Sequence, residues 1–156
     1  MSYDITFARR PGRTLLETLE DRAAEYDPDA EPEPMRLTTA RRAAWERILQ
    51  RVTAEVGPVT SQEYLYSLPM WRDGATGHLQ LDYAGESAHI EIPYRYPGKV
   101  ALPIAAEAYR VARIVEEAIG LEGFDGETEQ PIAIGNIESA VAKLGGIGQW
   151  AQDNLT

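Results

Sequence analysis

Apolar and polar positions alternate without a break on both sides of Ala84–Ser87. Leu79, Leu81 and Tyr83 are separated by Gln80 and Asp82, and Ala88, Ile90 and Ile92 by His89 and Glu91. Period two over this length marks a half-buried strand. Two such runs joined by Ala84-Gly85-Glu86-Ser87 predict a β-hairpin over 77–96. Gly85 takes the first central position of a two-residue turn, where positive φ carries no steric cost for glycine. That turn sets the register: Tyr83 opposite Ala88, Leu81 opposite Ile90 and Leu79 opposite Ile92. All six then share one face, while Asp82–His89 and Gln80–Glu91 share the other. One apolar and one polar face predict an antiparallel sheet covered on one side only.

The same pattern extends outward. Tyr3, Ile5 and Phe7 predict a first strand, ended by Arg9-Arg10-Pro11-Gly12. Thr14 and Glu17 have capping-box spacing, and the stripe Leu15, Leu16, Leu19, Ala23 and Tyr26 predicts a helix over 13–26. Asp27–Leu37 carries three prolines among its carboxylates and is expected to be an exposed acidic loop. Thr38 or Thr39 caps a second helix that runs to Val56 and stops at Gly57-Pro58, with Trp45, Ile48, Leu49, Val52 and Val56 facing the core.

Thr60–Leu68 predicts a second strand, with Tyr64, Tyr66 and Leu68 on one face. Residues 70–76 then turn the chain into the hairpin, and Trp71 packs at a sheet end or lines a pocket mouth. Pro103 suits the first turn of a third helix, whose stripe Ile104, Ala108, Val111, Ala112, Val115 and Ile119 ends at Gly120. Residues 121–131 read as a polar loop anchored by Phe124, and 132–134 as a short edge strand. Asn136 caps a last helix. Gly145-Gly146 leaves two readings there: a break into two short helices, or close packing.

The expected fold is α+β, a two-layer sandwich. A four-stranded, mainly antiparallel sheet carries helices on one face, in the order βααβββα plus a C-terminal helix. Two helices separate the first strand from the next, so it has room to join in parallel. The last helix either covers an edge or mediates dimerisation. At 156 residues the chain is expected to form one domain, 1–156, burying roughly 70% of its unfolded surface.

Composition narrows the function classes. The absence of cysteine excludes disulfides, thiolate metal sites and cysteine nucleophiles. No run approaches the roughly 20 apolar residues of a membrane span, and the first residues lack the layout of a signal peptide. A cytoplasmic protein is expected. The net charge of −10 repels phosphate backbones and anionic membranes and favours a basic protein partner, although acidity also simply keeps a protein soluble. Arg41, Arg42, Arg47 and Arg51 form the only basic concentration. Glu46 and Glu55 stand among them, so a solvated face with internal ion pairs is expected rather than a phosphate-binding stripe.

Candidate chemistry is sparse. On the polar face of the hairpin, His78, Asp82, His89 and Glu91, with Tyr66 from the preceding strand, form the candidate binding set. A carboxylate beside an imidazole can orient its tautomer for acid–base work, and two imidazoles with a carboxylate are also a metal-ligand set. The register separates His78 from the Asp82–His89 pair, and an exposed cross-strand ion pair explains the same residues. Asp27, Asp29, Glu31 and Glu33 lack the ligand spacing of a calcium loop. No serine stands in a nucleophile-elbow context, and Lys143–Gly148 lacks Walker spacing. No catalytic residue, metal or cofactor is expected.

The opening Met-Ser-Tyr-Asp-Ile-Thr-Phe and the element order resemble small uncharacterised bacterial α+β proteins that begin Met-Ser-Tyr-Asp. The resemblance implies no catalytic residue and no cofactor. The expected function is a non-enzymatic binding protein, monomer or homodimer, whose acidic surface meets a basic protein partner in the manner of inhibitor or immunity proteins. The alternative is a small-molecule-binding protein or enzyme with a pocket beside the hairpin. A contiguous acidic surface without a deep cavity favours the first; a concave site with converging polar groups favours the second.

Overall fold

A computed structural model describes residues 2–8, 12–31 and 34–155. Arg9-Arg10-Pro11, expected to stop the first strand, and Glu33 of the acidic loop lie outside them.

The alternation of the first residues and of the hairpin becomes the middle of a larger sheet. Strands β1 (Ser2–Ala8), β2 (Thr60–Ser61), β3 (Leu68–Gly74), β4 (Gly77–Tyr83), β5 (Ser87–Pro93), β6 (Glu122–Asp125) and β7 (Gln130–Pro131) lie in the order β2-β3-β4-β5-β1-β6-β7. Every neighbouring pair is antiparallel. The class is therefore α+β, but among the described residues the sheet has seven strands rather than four. β1 sits inside it, antiparallel to both β5 and β6, not parallel to either.

The hairpin register is as the pattern requires. Gln80 faces Glu91, Leu81 faces Ile90, Asp82 faces His89 and Tyr83 faces Ala88. Gly85 turns the corner with φ +87°, and the Ala84 amide donates to the Ser87 carbonyl at 2.9 Å.

Two strand expectations are corrected. Of the strand placed over 60–68, only Thr60–Ser61 and Leu68 are strand; β3 runs on to Gly74, so the segment read as a turn is mostly strand, and the reversal is confined to Ala75-Thr76. Leu68, Pro69 and Met70 are all buried there, whereas Tyr64, Leu65 and Tyr66 stand in an exposed loop. The polar loop over 121–131 contains β6 and β7, and residues 132–134 form a 3-10 turn rather than an edge strand.

Among the described residues, four α-helices complete the fold: α1 (Leu15–Glu25), α2 (Thr39–Glu55), α3 (Ala101–Ile119) and α4 (Ile137–Asn154). Thr14 and Glu17 form the capping box, Thr38 caps α2, and the Asn136 side chain accepts the amides of Glu138 and Ser139. α3 ends on Gly120 in the left-handed conformation. It is the hub of the apolar layer, touching α2, α4, β4 and β6.

Trp45 of α2 stacks on Tyr83 with ring centroids 5.8 Å apart. A buried ion pair ties α3 to β3, with Arg72 Nη2 3.0 Å from Glu107 Oε1, which also accepts the Thr76 hydroxyl at 3.0 Å. α4 is continuous through Gly145-Gly146, so close packing is the correct reading. A Cβ at Gly145 would stand 2.2 Å from the Gly98 carbonyl oxygen.

α1 is only shallowly buried. Leu15 and Thr18 are its buried residues, while Leu16 and Tyr26 of the expected core stripe are 56% and 75% exposed. The acidic loop is exposed through Glu31, but Met35 and Leu37 tuck against the core, and the Met35 amide donates to the Leu65 carbonyl at 3.0 Å. Among the described residues, no helix is long and apolar enough to cross a membrane.

Candidate functional site

Strand alternation puts Tyr3, Ile5, Leu81, Ile90 and Ile92 under the helices and sends Asp4, Thr6, Asp82, His89 and Glu91 to the opposite face of the sheet, where they are half-buried. Pairing across β1 and β5 sets Asp4 beside Glu91 and Thr6 beside His89. His89 thus stands on a strand paired on both sides. Its Nε2 lies 3.1 Å from Asp4 Oδ1 and its Nδ1 3.5 Å from Glu91 Oε1. One ligand atom from each of Asp4, His89 and Glu91 falls within 4.8 Å of the others.

The expected set is therefore split. His89 and Glu91 come together, but their third member is Asp4 rather than Asp82. Asp82 is the Cα partner of His89, yet its carboxylate accepts from Gln80 Nε2 at 3.0 Å, and Gln80 accepts from Trp71 Nε1 at 2.8 Å. Trp71 belongs to β3, half-buried, and is paired with Thr60 of the edge strand β2. His78, paired with Asp73, borders a depression of about 460 Å³ with Ser2, Gln80, Glu91 and Arg95, which meets the His89 group only through Glu91. Tyr66, 49% exposed in the loop before β3, joins neither group. Asp4 was legible as a polar-face residue of the first strand. What the pattern could not supply was the antiparallel pairing of β1 with β5.

A second feature lies beyond β1. Between the start of α1, the end of α3 and the β6–β7 edge runs a groove of about 800 Å³. Leu15, Leu16, Phe124, Pro131 and Ala133 give it a largely apolar lining, and Glu122 and Glu129 stand exposed on its rim. Phe124, expected to anchor the polar loop, is half-buried in this groove opposite Thr6 and Pro131, on the face of β6 turned away from the core. The core-side positions of β6 are Gly123 and Asp125.

Asp125 is fully buried. Its Oδ2 accepts the Tyr3 and Tyr109 hydroxyls, each at 2.5 Å, and its Oδ1 accepts the amides of Glu127 and Thr128 at 3.0 and 3.2 Å. Gln130 Nε2 donates to the Tyr109 hydroxyl at 2.7 Å, and Gln130 Oε1 accepts the Asn136 amide at 2.8 Å. Burial pushes the Tyr3 and Tyr109 hydroxyls well above the usual phenol range, and the Asp125 carboxylate adds to the shift. Every lone-pair direction of this carboxylate is directed at protein, so it pins elements together rather than facing a ligand.

Of the ion pairs expected within α2, Arg51–Glu55 is present, whereas the hydrogen-bond partners of Arg42 and Arg47 and the second carboxylate on Arg51 lie outside the helix. Arg42 pairs with Glu63 at 2.6 Å, Arg51 with Glu55 and Glu117 at 2.8 and 2.9 Å, and Arg47 donates to the Ala118 carbonyl at 3.2 Å. Comparison with protein-family models, with curated proteins and with solved structures finds no match for this chain.

Proposed function

We propose that the protein is a non-enzymatic binding protein that holds a basic, amphipathic segment of a protein partner in the groove between α1 and the β6–β7 edge. The observation that carries this reading is the combination, in one place, of an apolar lining and a carboxylate rim. Leu16 and Phe124 offer contact area that is only partly covered within the chain. Glu122 and Glu129 place negative charge where the cationic side chains of such a segment would emerge. The overall charge of −10 adds long-range attraction, which falls off over roughly 8 Å at physiological ionic strength.

The test is a fluorescence-anisotropy titration with a synthetic Lys/Leu amphipathic helical peptide and its Glu/Leu counterpart. The basic peptide binds and weakens with salt, and the acidic one does not bind. Glu122→Gln and Glu129→Gln each weaken binding about two- to fivefold, the scale of an exposed ion pair. Leu16→Glu, a surface change, weakens it about tenfold or more. Binding indifferent to all three substitutions would sink the proposal.

A second reading, a small polar ligand beside the hairpin, is favoured by the depression where His78, Gln80, Glu91 and Arg95 converge. Amide-shift changes confined to β4 and β5 on addition of a polar metabolite mixture would distinguish it.

A further inference from the structure

We propose that Asp4, His89 and Glu91 form a binding site for one divalent transition-metal ion of the zinc, cobalt or manganese class. The inference rests on the open face of the sheet and is independent of the groove. Its three donors come from two adjacent strands inside the sheet, β1 and β5, paired Ser2↔Pro93 through Ala8↔Ser87. Cross-strand pairing of Asp4 with Glu91, and the i, i+2 relation of His89 to Glu91, fix all three on one face without help from a loop. Such placement pre-organises a site, because no backbone has to be ordered when the ion arrives.

Distances and donor chemistry agree. Metal–ligand bonds of about 2.1 Å set neighbouring ligand atoms about 3.0 Å apart in octahedral and about 3.4 Å apart in tetrahedral coordination. His89 Nε2 and Asp4 Oδ1, at 3.1 Å, already have that spacing. Glu91 now stands 3.5 Å from the other ring nitrogen. Its side chain is 43% exposed, and one donor atom from each of the three residues already lies within 4.8 Å of the others, so the third corner requires only a change of the Glu91 rotamer toward Nε2. Two carboxylates offset the charge of a dication, and the imidazole selects transition metals over magnesium or calcium, which prefer oxygen-only sites. The half-exposed setting leaves the remaining coordination positions to water or to an exogenous ligand.

The experiment uses the full, tag-free chain after treatment with a chelator. Zn²⁺ is titrated by calorimetry, and Mn²⁺ by paramagnetic broadening of resonances. The expected result is one site of micromolar affinity, with the His89 ring protons broadened first. Asp4→Asn, His89→Gln and Glu91→Gln should each lower Zn²⁺ affinity about tenfold or more, while Asp29→Asn in the acidic loop leaves it unchanged. Mg²⁺ should compete poorly. Equal affinity in the wild type and the three site variants, or broadening centred on residues 27–31, would overturn the proposal and leave His89 a simple polar partner of its two carboxylates. Circular dichroism of each variant confirms that lost affinity is not lost fold.

Discussion

Asp125 shows how much one side chain can organise. Its partners join β1 through Tyr3, α3 through Tyr109 and the chain that follows β6 through two amides, and Gln130 extends the network to the N-cap of α4. A charge buried here is tolerable because four donors replace its water. The same arithmetic makes truncation severe. Asp125→Ala orphans two buried phenols and two amides at once, so it should cost about 3–5 kcal/mol of unfolding free energy by urea titration. Tyr109→Phe removes one donor and leaves three, and should cost about 1–3 kcal/mol. A loss below about 1 kcal/mol for Asp125→Ala would mean that the network is dispensable.

At the scale of elements, glycine placement decides how α4 sits. Gly145 and Gly148 meet the backbone of Gly98 and Tyr96, where an added Cβ would stand 2.2 and 2.8 Å from a carbonyl oxygen, whereas Gly146 meets nothing within 4 Å. Gly145→Ala should therefore force the helix off the turn and destabilise the chain by more than about 2 kcal/mol. Gly146→Ala should stabilise it by about 0.5–1 kcal/mol through helix propensity. Thermal melts of the two variants must move in opposite directions.

This contrast also explains what the sequence made legible. The hairpin was readable because turn chemistry and apolar alternation specify the same pairing. Helices α1 to α4 were readable from caps and stripes. β6 was not, because its core-side positions are a glycine, where a Cβ would strike Phe7 and Ile132, and an aspartate held by tyrosines. A strand whose inward residues are Gly and Asp carries no apolar period. Missing β6 hid the Asp125 network and the groove as well. β3 was displaced because Tyr64, Leu65 and Tyr66 imitate a strand better than Leu68-Pro69-Met70 does, yet they stand exposed. The metal-site candidate was half visible: His89 and Glu91 came from the hairpin pattern, whereas Asp4 required the β1–β5 register.

Across the whole molecule, charge and burial together set an upper limit on pH. The surface carries excess carboxylate, while four of the eight tyrosines have hydroxyls pushed upward by burial: Tyr3, Tyr83, Tyr94 and Tyr109. For Tyr3 and Tyr109 the Asp125 carboxylate reinforces the shift, and for Tyr94 the nearby Glu127 does. A phenol raised in the folded state favours folding while both states are protonated, below the ordinary value near 10. As pH climbs past that value, the unfolded chain gives up protons that the folded chain retains, so stability falls toward the folded-state pKa. The net negative charge grows in the same direction and adds self-repulsion.

The expected outcome is cooperative alkaline unfolding above about pH 10. Tyrosinate absorbance should rise in two stages, and the second, belonging to these four residues, should coincide with loss of the circular dichroism signal. Added salt should move the unfolding to higher pH by screening the repulsion without removing the second stage, because screening does not hydrate a buried phenol. Full ionisation of all eight tyrosines in a chain that keeps its native circular dichroism would contradict both the buried Asp125 network and the sheet core built around it.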